Sequence, residues 1–336
     1  MKHDRILLAH GSGGKLSQQL VQDIFLKAFD NELLAPLNDQ AVFSLAASRH
    51  AFTTDSFVVK PIFFPGGDIG KLAVCGTIND LAVGGAEPLY LSASFIIEEG
   101  TAVEDLRQVV ESMARTAKDA GVPIVTGDTK VVERGKGDGI FINTAGIGVI
   151  SNGHNLSPLT IRPGDAIIVS GAMGDHGITI MAHRDGLQMD VPVESDCAPL
   201  HGLVKVVLAE SNGVRAMRDP TRGGLATTLN ELAASGGSGM LIREDDIPIR
   251  DAVRGACEIM GFDPLYLANE GKLIAIVSPD SAQPVLAAMK SHPLGRDAAV
   301  IGKVMEAPKG KVLLETSLGV TRILDMLAGE QFPRIC

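Results

Sequence analysis

Three aspartates in the first half of the chain stand where a carboxylate could bind a cation. Asp55 follows two threonines at the end of one predicted strand, and Asp128 lies in a Thr-Gly-Asp-Thr run at the end of another. Asp80 lies in a predicted helix otherwise made mainly of small and aliphatic residues, where an unpaired carboxylate is costly. Each alone is explained by helix capping or a structural hydrogen bond. Together they favour a Mg²⁺ site that faces a polyphosphate.

The second half of the chain adds two further acidic positions. Asp219 is followed by a proline, an arginine and a glycine pair that lead into a predicted helix, whose N-terminus favours anions. Glu270 stands between Asn269 and a glycine just before a predicted strand. His176 follows another strand and opens a helix, and we expect it to be a turn residue rather than a base.

Two glycine-rich stretches invite a phosphate-binding interpretation. One is His-Gly-Ser-Gly-Gly-Lys at 10–15, and the other is Gly-Gly-Asp-Ile-Gly-Lys at 66–71. Neither has Walker A spacing, and neither is a dinucleotide fingerprint. Taken alone, each is expected to be a turn, although backbone N–H groups in such loops can cradle an anion.

Composition and charge exclude several classes of protein. The net charge of -10 disfavours a duplex nucleic-acid binder. No apolar run reaches the roughly 18 residues that span a bilayer, and the N-terminus lacks the apolar region of a signal peptide. Cys75, Cys197, Cys257 and Cys336 are scattered without zinc-site spacing. We therefore expect a cytoplasmic protein with free thiols.

The elements that must position these residues alternate between strand and helix, which predicts an α/β fold. Helices are predicted over 19–29, 69–84, 102–120, 200–211, 225–234, 249–260 and 318–327, and strands over 50–62, 89–98, 123–126, 140–150, 165–170, 240–243, 273–277 and 299–303. A Ser-Asn-Gly-His-Asn run at 151–155 breaks the periodicity. We predict domains over 1–155 and 156–320, and a mobile tail over 321–336 that ends in Cys336.

Several motifs resemble those of the aminoimidazole-ribonucleotide synthetase (PurM-like) superfamily. In the first half they are His-Gly-Ser-Gly-Gly at 10–14, Thr-Asp-Ser at 54–56, Phe-Pro-Gly-Gly-Asp-Ile-Gly at 64–70 and Gly-Thr-Ile-Asn-Asp-Leu at 76–81. In the second half they are Asp-Pro-Thr-Arg-Gly-Gly at 219–224, Gly-Phe-Asp-Pro at 261–264 and Asn-Glu-Gly at 269–271. With the terminal Pro-Arg-Ile-Cys at 333–336, the combination is similar to the HypE family of [NiFe]-hydrogenase maturation factors.

This resemblance implies a fold, cofactors and partners. The fold is a two-domain PurM-like α/β fold whose N-terminal domain forms a homodimer through its sheet. The cofactors are ATP and Mg²⁺. The carbamoyltransferase HypF is expected to place a carboxamide on the Cys336 sulfur, which the chain then dehydrates to a thiocyanate. The cyanide passes to iron on the HypC–HypD complex.

The resemblance also implies roles for particular residues. The implied metal ligands are Asp55, Asp80, Asp128 and Asp219. The implied contacts to ATP come from these four and from Gly11, Ser12, Gly13, Gly14 and Asn79. The implied catalytic residues are Cys336, Lys130 and Glu270, and either Lys130 or Glu270 is the base for the amide nitrogen.

Other functions are weighed against this one. A selenophosphate synthetase would need a catalytic Cys or selenocysteine near the N-terminus, but the first cysteine here is Cys75. Aminoimidazole-ribonucleotide synthetase and thiamine-phosphate kinase share the ATP-binding half and use no terminal cysteine. A non-catalytic carrier that only presents Cys336 would not need the ATP-site carboxylates.

Overall fold

The computed structural model describes residues 4–7, 10, 15–34, 49–150, 155–186, 193–326 and 335. Its first half opens with a helical segment, which runs through α1 (Lys15–Leu20), a π-helical stretch (Val21–Phe25) and α2 (Leu26–Phe29). Two longer helices described here are α3 (Ile69–Val83) and α4 (Val103–Ala120). The strands of this half are β1 (Arg49–Phe57), β2 (Phe63–Phe64), β3 (Gly67–Asp68), β4 (Ala86–Glu98), β5 (Ile124–Val132) and β6 (Ile140–Ile150).

The second half continues the alternation of strand and helix. Its helices are α5 (Asp175–Asp185), α6 (His201–Glu210), α7 (Gly224–Gly236), α8 (Asp251–Met260) and α9 (Ala282–Ser291). Its strands are β7 (Ala166–Val169), β8 (Val214–Arg218), β9 (Gly239–Arg243), β10 (Ile274–Val277), β11 (Ala299–Met305), β12 (Val312–Glu315) and β13 (Thr321–Leu324). The expected α/β architecture in two domains is confirmed.

The first domain is a sheet with helices on one face. Its strands are ordered β1-β6-β4-β5, with β4 and β5 parallel and the other neighbours antiparallel. Burial alternates along β6, where Ile140 and Ile142 are buried and Phe141 and Asn143 are partly exposed, as the period of two in a strand requires. The buried face packs against α3 and α4.

The opposite face of this sheet is uncovered in the single chain. Phe52 on β1 is 73% exposed and Ile96 on β4 is 46% exposed. Neighbouring positions on this face, such as Ser94 and Asn143, are also partly exposed.

The second domain is a seven-stranded sheet between two layers of helix. The strand order is β13-β12-β9-β11-β7-β10-β8, and only the β12–β9 pair is parallel. On one face Leu225 and Leu229 of α7 join the apolar core, and on the other Leu203 of α6 and Val285 of α9 do. No helix in the described part of the chain is long and apolar enough to cross a membrane.

One expected helix is wrong. The segment 318–327 was predicted to be helical, but β13 occupies Thr321–Leu324 and pairs antiparallel with β12. Gly319, with φ of 74°, makes the tight turn between the two strands, and the Gly319 N–H donates to the Thr316 carbonyl at 2.8 Å. The second domain therefore extends to Leu324, four residues past its expected end at 320.

Candidate functional site between the two domains

The first domain contributes two carboxylates that lie beside one another. Asp55 is on β1, and Asp80 is on α3, which packs across that strand. The Thr53 hydroxyl donates to Asp80 Oδ2 at 2.8 Å. Gly76 permits the close approach, because a Cβ there would lie 2.9 Å from the Phe57 ring and 4.0 Å from Asp55 Oδ2.

The second domain contributes Asp219 and Glu270, and Asn269 links the loops that carry them. Both the backbone N–H and the Nδ2 of Asn269 donate to the Pro220 carbonyl, at 3.1 and 3.0 Å. Asn269 Oδ1 accepts from the Gly174 N–H at 2.7 Å. A fully satisfied buried amide of this kind holds its loops in one arrangement.

These four carboxylates line one cavity between the domains. Its volume is about 230 Å³. Its lining residues come from β1, α3, the β8–α7 loop and the segment before β10, and they are Asp55, Ser56, Phe57, Gly76, Asp80, Asp219, Thr221, Arg222 and Glu270. The cavity thus brings together three of the four carboxylates that the resemblance implies as metal ligands, namely Asp55, Asp80 and Asp219.

Burial and mutual repulsion raise the pKa values of the carboxylates that line this cavity. Burial, together with the charge of the neighbouring Asp80, raises the pKa of Asp219 to about 7. Burial also raises the pKa of Glu270 well above its usual value, with Asp196 and Asp219 adding to the effect. The pKa values of Asp55 and Asp80 are raised by burial too. A divalent cation bound in the cavity would counteract these raised pKa values, because its charge favours the ionised carboxylates.

The donor set fits Mg²⁺ that arrives with a polyphosphate rather than a resident metal. In the described part of the chain, no three His, Cys, Asp or Glu side chains form a group that could hold a metal ion. Mg²⁺ is usually held by one or two carboxylates together with substrate phosphates and water. Two aspartates of this cavity, together with phosphate oxygens and water, would satisfy that requirement.

The backbone of Glu270 is bonded to Asp196, a residue that the sequence alone does not single out. Its backbone N–H donates to Asp196 Oδ1 at 2.9 Å, and Lys272 Nζ lies 3.2 Å from Asp196 Oδ2. Glu270 Oε1 is buried and has no hydrogen-bond partner among the described residues. Asp196 lies in an irregular stretch, so nothing in its spacing connects it with Glu270.

Asp128 and Lys130 are not brought into this cavity by the single chain. Both are exposed on β5, where Lys130 Nζ lies 2.9 Å from Asp128 Oδ2. This hydrogen bond lowers the pKa of Asp128. Strand β5 is at the opposite edge of the sheet from β1. The roles of Asp128 as a metal ligand and of Lys130 as a catalytic residue stay predictions.

The pairing register shows the face of the sheet on which Asp128 lies. Asp128 pairs with Ser94, Ser94 with Asn143, and Asn143 with Ser56. Paired residues share a face of the sheet and successive residues alternate, so Asp128 lies on the face of Ser56 and opposite to that of Asp55. The predicted strand over 123–126 is too short, since β5 continues to Val132.

Asn79 lies at the contact between the domains. It is 1% exposed and its amide is used there, and its contact to ATP stays a prediction. Its Nδ2 donates to the Ala198 and Glu270 carbonyls, both at 3.2 Å, and its Oδ1 accepts from the Leu200 N–H at 2.8 Å. With both amide donors committed, Asn79 acts as an inter-domain link.

Five of the expected site residues lie outside the described residues, namely Gly11, Ser12, Gly13, Gly14 and Cys336. The residue before Cys336 is described. Ile335 is 3% exposed and packs in the apolar core that the first domain shares with α5. This residue belongs to the segment that the sequence predicted to be a mobile tail.

The chain matches known families over most of its length. Residues 37–150 match the AIR synthase related protein N-terminal domain, and residues 162–315 match the corresponding C-terminal domain. A relative from Cupriavidus necator named carbamoyl dehydratase HypE is 55% identical, over 100% of this chain and 96% of the relative.

Solved structures agree with the sequence relatives. A crystal structure of the hydrogenase maturation protein HypE in complex with ATP superposes with a TM-score of 0.95 at 50% identity, covering 98% of this chain and 99% of that one. A HypE–HypF complex contains a chain that superposes with a TM-score of 0.81 at 50% identity, covering 92% and 99%.

Proposed function

The chain belongs to the carbamoyl dehydratase HypE family of AIR synthase related proteins, and we propose that it uses ATP to dehydrate a carbamoyl group on its own C-terminal cysteine, Cys336. The product is a thiocyanate that supplies the cyanide ligands of [NiFe]-hydrogenase iron. The observation that carries this proposal is the cavity lined by Asp55, Asp80, Asp219 and Glu270 between the domains.

The chemistry requires activation of an amide oxygen. An S-carboxamide loses water slowly because its oxygen is a poor leaving group, and ATP with Mg²⁺ supplies the phosphoryl group and the charge neutralisation that make it a good one. Asp55, Asp80 and Asp219 hold the cation that accompanies the phosphates. Arg222, at the cavity wall, favours the negative charge of the phosphates.

Two protons must also leave the amide nitrogen, which calls for a base. Of the two candidates, Glu270 lines the cavity and Lys130 is exposed on β5. A carboxylate whose pKa is raised well above its usual value is a stronger base once ionised. We therefore assign proton removal to Glu270, and this assignment also explains why its Oε1 has no hydrogen-bond partner among the described residues.

The partners follow from the same proposal. A related HypE chain has been solved with HypF, and the carboxamide on Cys336 comes from such a carbamoyltransferase. The HypC–HypD iron scaffold is the expected acceptor of the cyanide. We further propose that the chain forms a homodimer, because the outer face of the first sheet is uncovered in one chain.

The test is intact-protein mass spectrometry. Purified chain is incubated with the carbamoyltransferase and carbamoyl phosphate, then with ATP and Mg²⁺, and the modified peptide is mapped. We expect a carbamoyl adduct that converts to a thiocyanate on Cys336 only when ATP is present. Cys336→Ala should show neither adduct, whereas the matched variant Cys257→Ala, at a buried thiol in α8, should show both. A thiocyanate on any other cysteine would refute the proposal.

A further inference from the structure

A buried histidine holds the chain by its penultimate residue. His176, in the first turn of α5, is fully buried. Its Nε2 lies 2.9 Å from the carbonyl oxygen of Ile335, and its Nδ1 lies 2.8 Å from Ser195 Oγ. The ring of Phe64 meets the imidazole edge to face, with 5.6 Å between ring centroids.

These contacts allow one arrangement of protons. A carbonyl oxygen only accepts, so His176 Nε2 carries the proton that bonds Ile335. Burial lowers the pKa of His176, and the neutral ring then has an unprotonated Nδ1 that accepts from the Ser195 hydroxyl. Ser195 Oγ in turn accepts from the Cys197 N–H at 3.1 Å. Every polar group in this chain of hydrogen bonds has a partner.

The segment that orients His176 also supports Glu270. Ser195 stands beside Asp196, which accepts from the Glu270 N–H at 2.9 Å. The segment is fixed on the first domain as well, because the Ser195 N–H donates to the Pro65 carbonyl at 2.9 Å. Gly66 makes room for it, since a Cβ there would lie 2.7 Å from the Ser195 carbonyl oxygen. The glycine pair at 66–67 therefore serves packing in the described structure.

We propose that His176, oriented by Ser195, is a positioning residue that latches the C-terminal tail by the carbonyl of Ile335 and so presents the group on Cys336 to the site that contains Glu270. The latched carbonyl belongs to the peptide bond that joins Ile335 to Cys336. The role in presentation rests on the proposed function, whereas the latch itself does not.

The latch is tested by alkylation of the full-length unmodified chain with iodoacetamide. Cys75, Cys197 and Cys257 are buried, so native-state labelling reports on Cys336. Removing the donor in His176→Leu leaves a buried carbonyl unpaired, and we expect labelling to accelerate about tenfold. Ser195→Ala should give a smaller acceleration. His176→Gln restores a donor near the Nε2 position and should return the rate to within about threefold of wild type.

A matched control uses the same helix. His183 is exposed on α5, and His183→Leu should label at the wild-type rate. Thermal unfolding identifies any variant that fails to fold, and Ser195→Ala still decides the question if His176→Leu is unfolded. Equal labelling rates in wild type, His176→Leu and Ser195→Ala would overturn the latch.

A second measurement addresses presentation. The same variants are carbamoylated first, and conversion on addition of ATP and Mg²⁺ is followed in a single turnover by mass spectrometry. We expect carbamoylated His176→Leu to accumulate and to convert about tenfold more slowly, with recovery in His176→Gln. Faster labelling with unchanged conversion would overturn the presentation role. A wild-type chain that is labelled normally but never dehydrated would instead refute the proposed function.

Discussion

Asp80 is a pocket carboxylate whose charge and hydrogen bond can be separated by substitution. An amide at this position keeps an oxygen that accepts from Thr53, now 2.8 Å from Asp80 Oδ2, but it carries no charge for a cation. We expect Asp80→Asn to lower ATP turnover by about 100-fold or more. Because burial raises the pKa of Asp80, losing its charge should leave the thermal midpoint at or above the wild-type value.

Turnover is measured as phosphate release by the carbamoylated chain. Asp119→Asn, at an exposed position near the end of α4, is the control and should behave as wild type. Turnover by Asp80→Asn at the wild-type rate would assign Asp80 a purely structural role.

Asp175 gives a prediction about pH. Burial raises its pKa to about 6, even though Arg250 lies 3.3 Å away, and its Oδ1 has no partner among the described residues. The folded chain therefore binds this proton more tightly than the unfolded chain, whose pKa is about 4, and stability falls as the pH rises between these values. Above about pH 6 the ionised Asp175 lowers the free energy of unfolding by its full amount, about 3 kcal/mol.

Asp175→Asn removes this titration. Urea unfolding at a series of pH values should show the variant gaining up to about 3 kcal/mol relative to wild type between about pH 4 and pH 7. Parallel profiles for the two proteins would mean that Asp175 keeps an ordinary pKa.

At the same scale, residue types predicted part of the site. Asp55, Asp80 and Asp128 were singled out because each carboxylate lies beside small or hydroxyl residues, and Asp219 because a proline and a glycine pair lead from it into a helix. The sequence does not tell the role of Asn79 from that of its neighbour Asp80. Successive side chains on a helix point about 100° apart, and only the fold shows that Asn79 faces the second domain. The support of Glu270 by Asp196 depends on a contact between residues 74 positions apart.

At the scale of elements, the packing of α3 against α4 fixes the position of the helix that carries Asp80. Gly70 lies at their closest approach, where an added Cβ would be 2.4 Å from the Val109 carbonyl oxygen. Alanine normally stabilises a helix relative to glycine, but here it forces the helices apart. We expect Gly70→Ala to lower the free energy of unfolding by about 1–3 kcal/mol.

Gly255 in α8 is the matched position, because a Cβ there meets nothing within 4 Å. Gly255→Ala should raise the free energy of unfolding by about 0.5–1 kcal/mol. Urea unfolding of both variants measures whether each substitution raises or lowers the free energy of unfolding. A stabilising Gly70→Ala would show that α3 and α4 can separate freely at this point.

The elements themselves were mostly predictable. The periodicity found α3 over 69–84 and β6 over 140–150, against observed bounds of Ile69–Val83 and Ile140–Ile150, because both have long, regular patterns. It failed at 318–327, where apolar residues at helical spacing form β13 instead. Pairing with β12 outweighs local spacing there, and local sequence does not contain that information.

At the scale of the whole molecule, the uncovered face of the first sheet is the basis for the proposed homodimer. Phe52 is 73% exposed at its edge, and a charge there would be buried in a face-to-face dimer at a cost of several kcal/mol. We expect Phe52→Glu to shift the chain from dimer to monomer at micromolar concentration in light scattering.

Leu159→Glu is the control, since Leu159 is 82% exposed on the second domain, and this variant should remain dimeric. A monomeric wild-type chain in the same measurement would refute the proposed homodimer. A dimeric Phe52→Glu with wild-type affinity would move the interface to another surface.

Asn79 also has a consequence for synthesis on the ribosome. The α3 helix is made early, yet the partners of its buried amide are at positions 198, 200 and 270, the last of them 191 residues further along the chain. At about 5–20 residues per second, translation reaches Glu270 roughly 10 to 40 s after Asn79. During that interval the amide of Asn79 bonds to water on a surface of the nascent first domain that the second domain later covers. The first domain therefore reaches its final packing around Asn79 only after the second domain has been translated as far as Glu270.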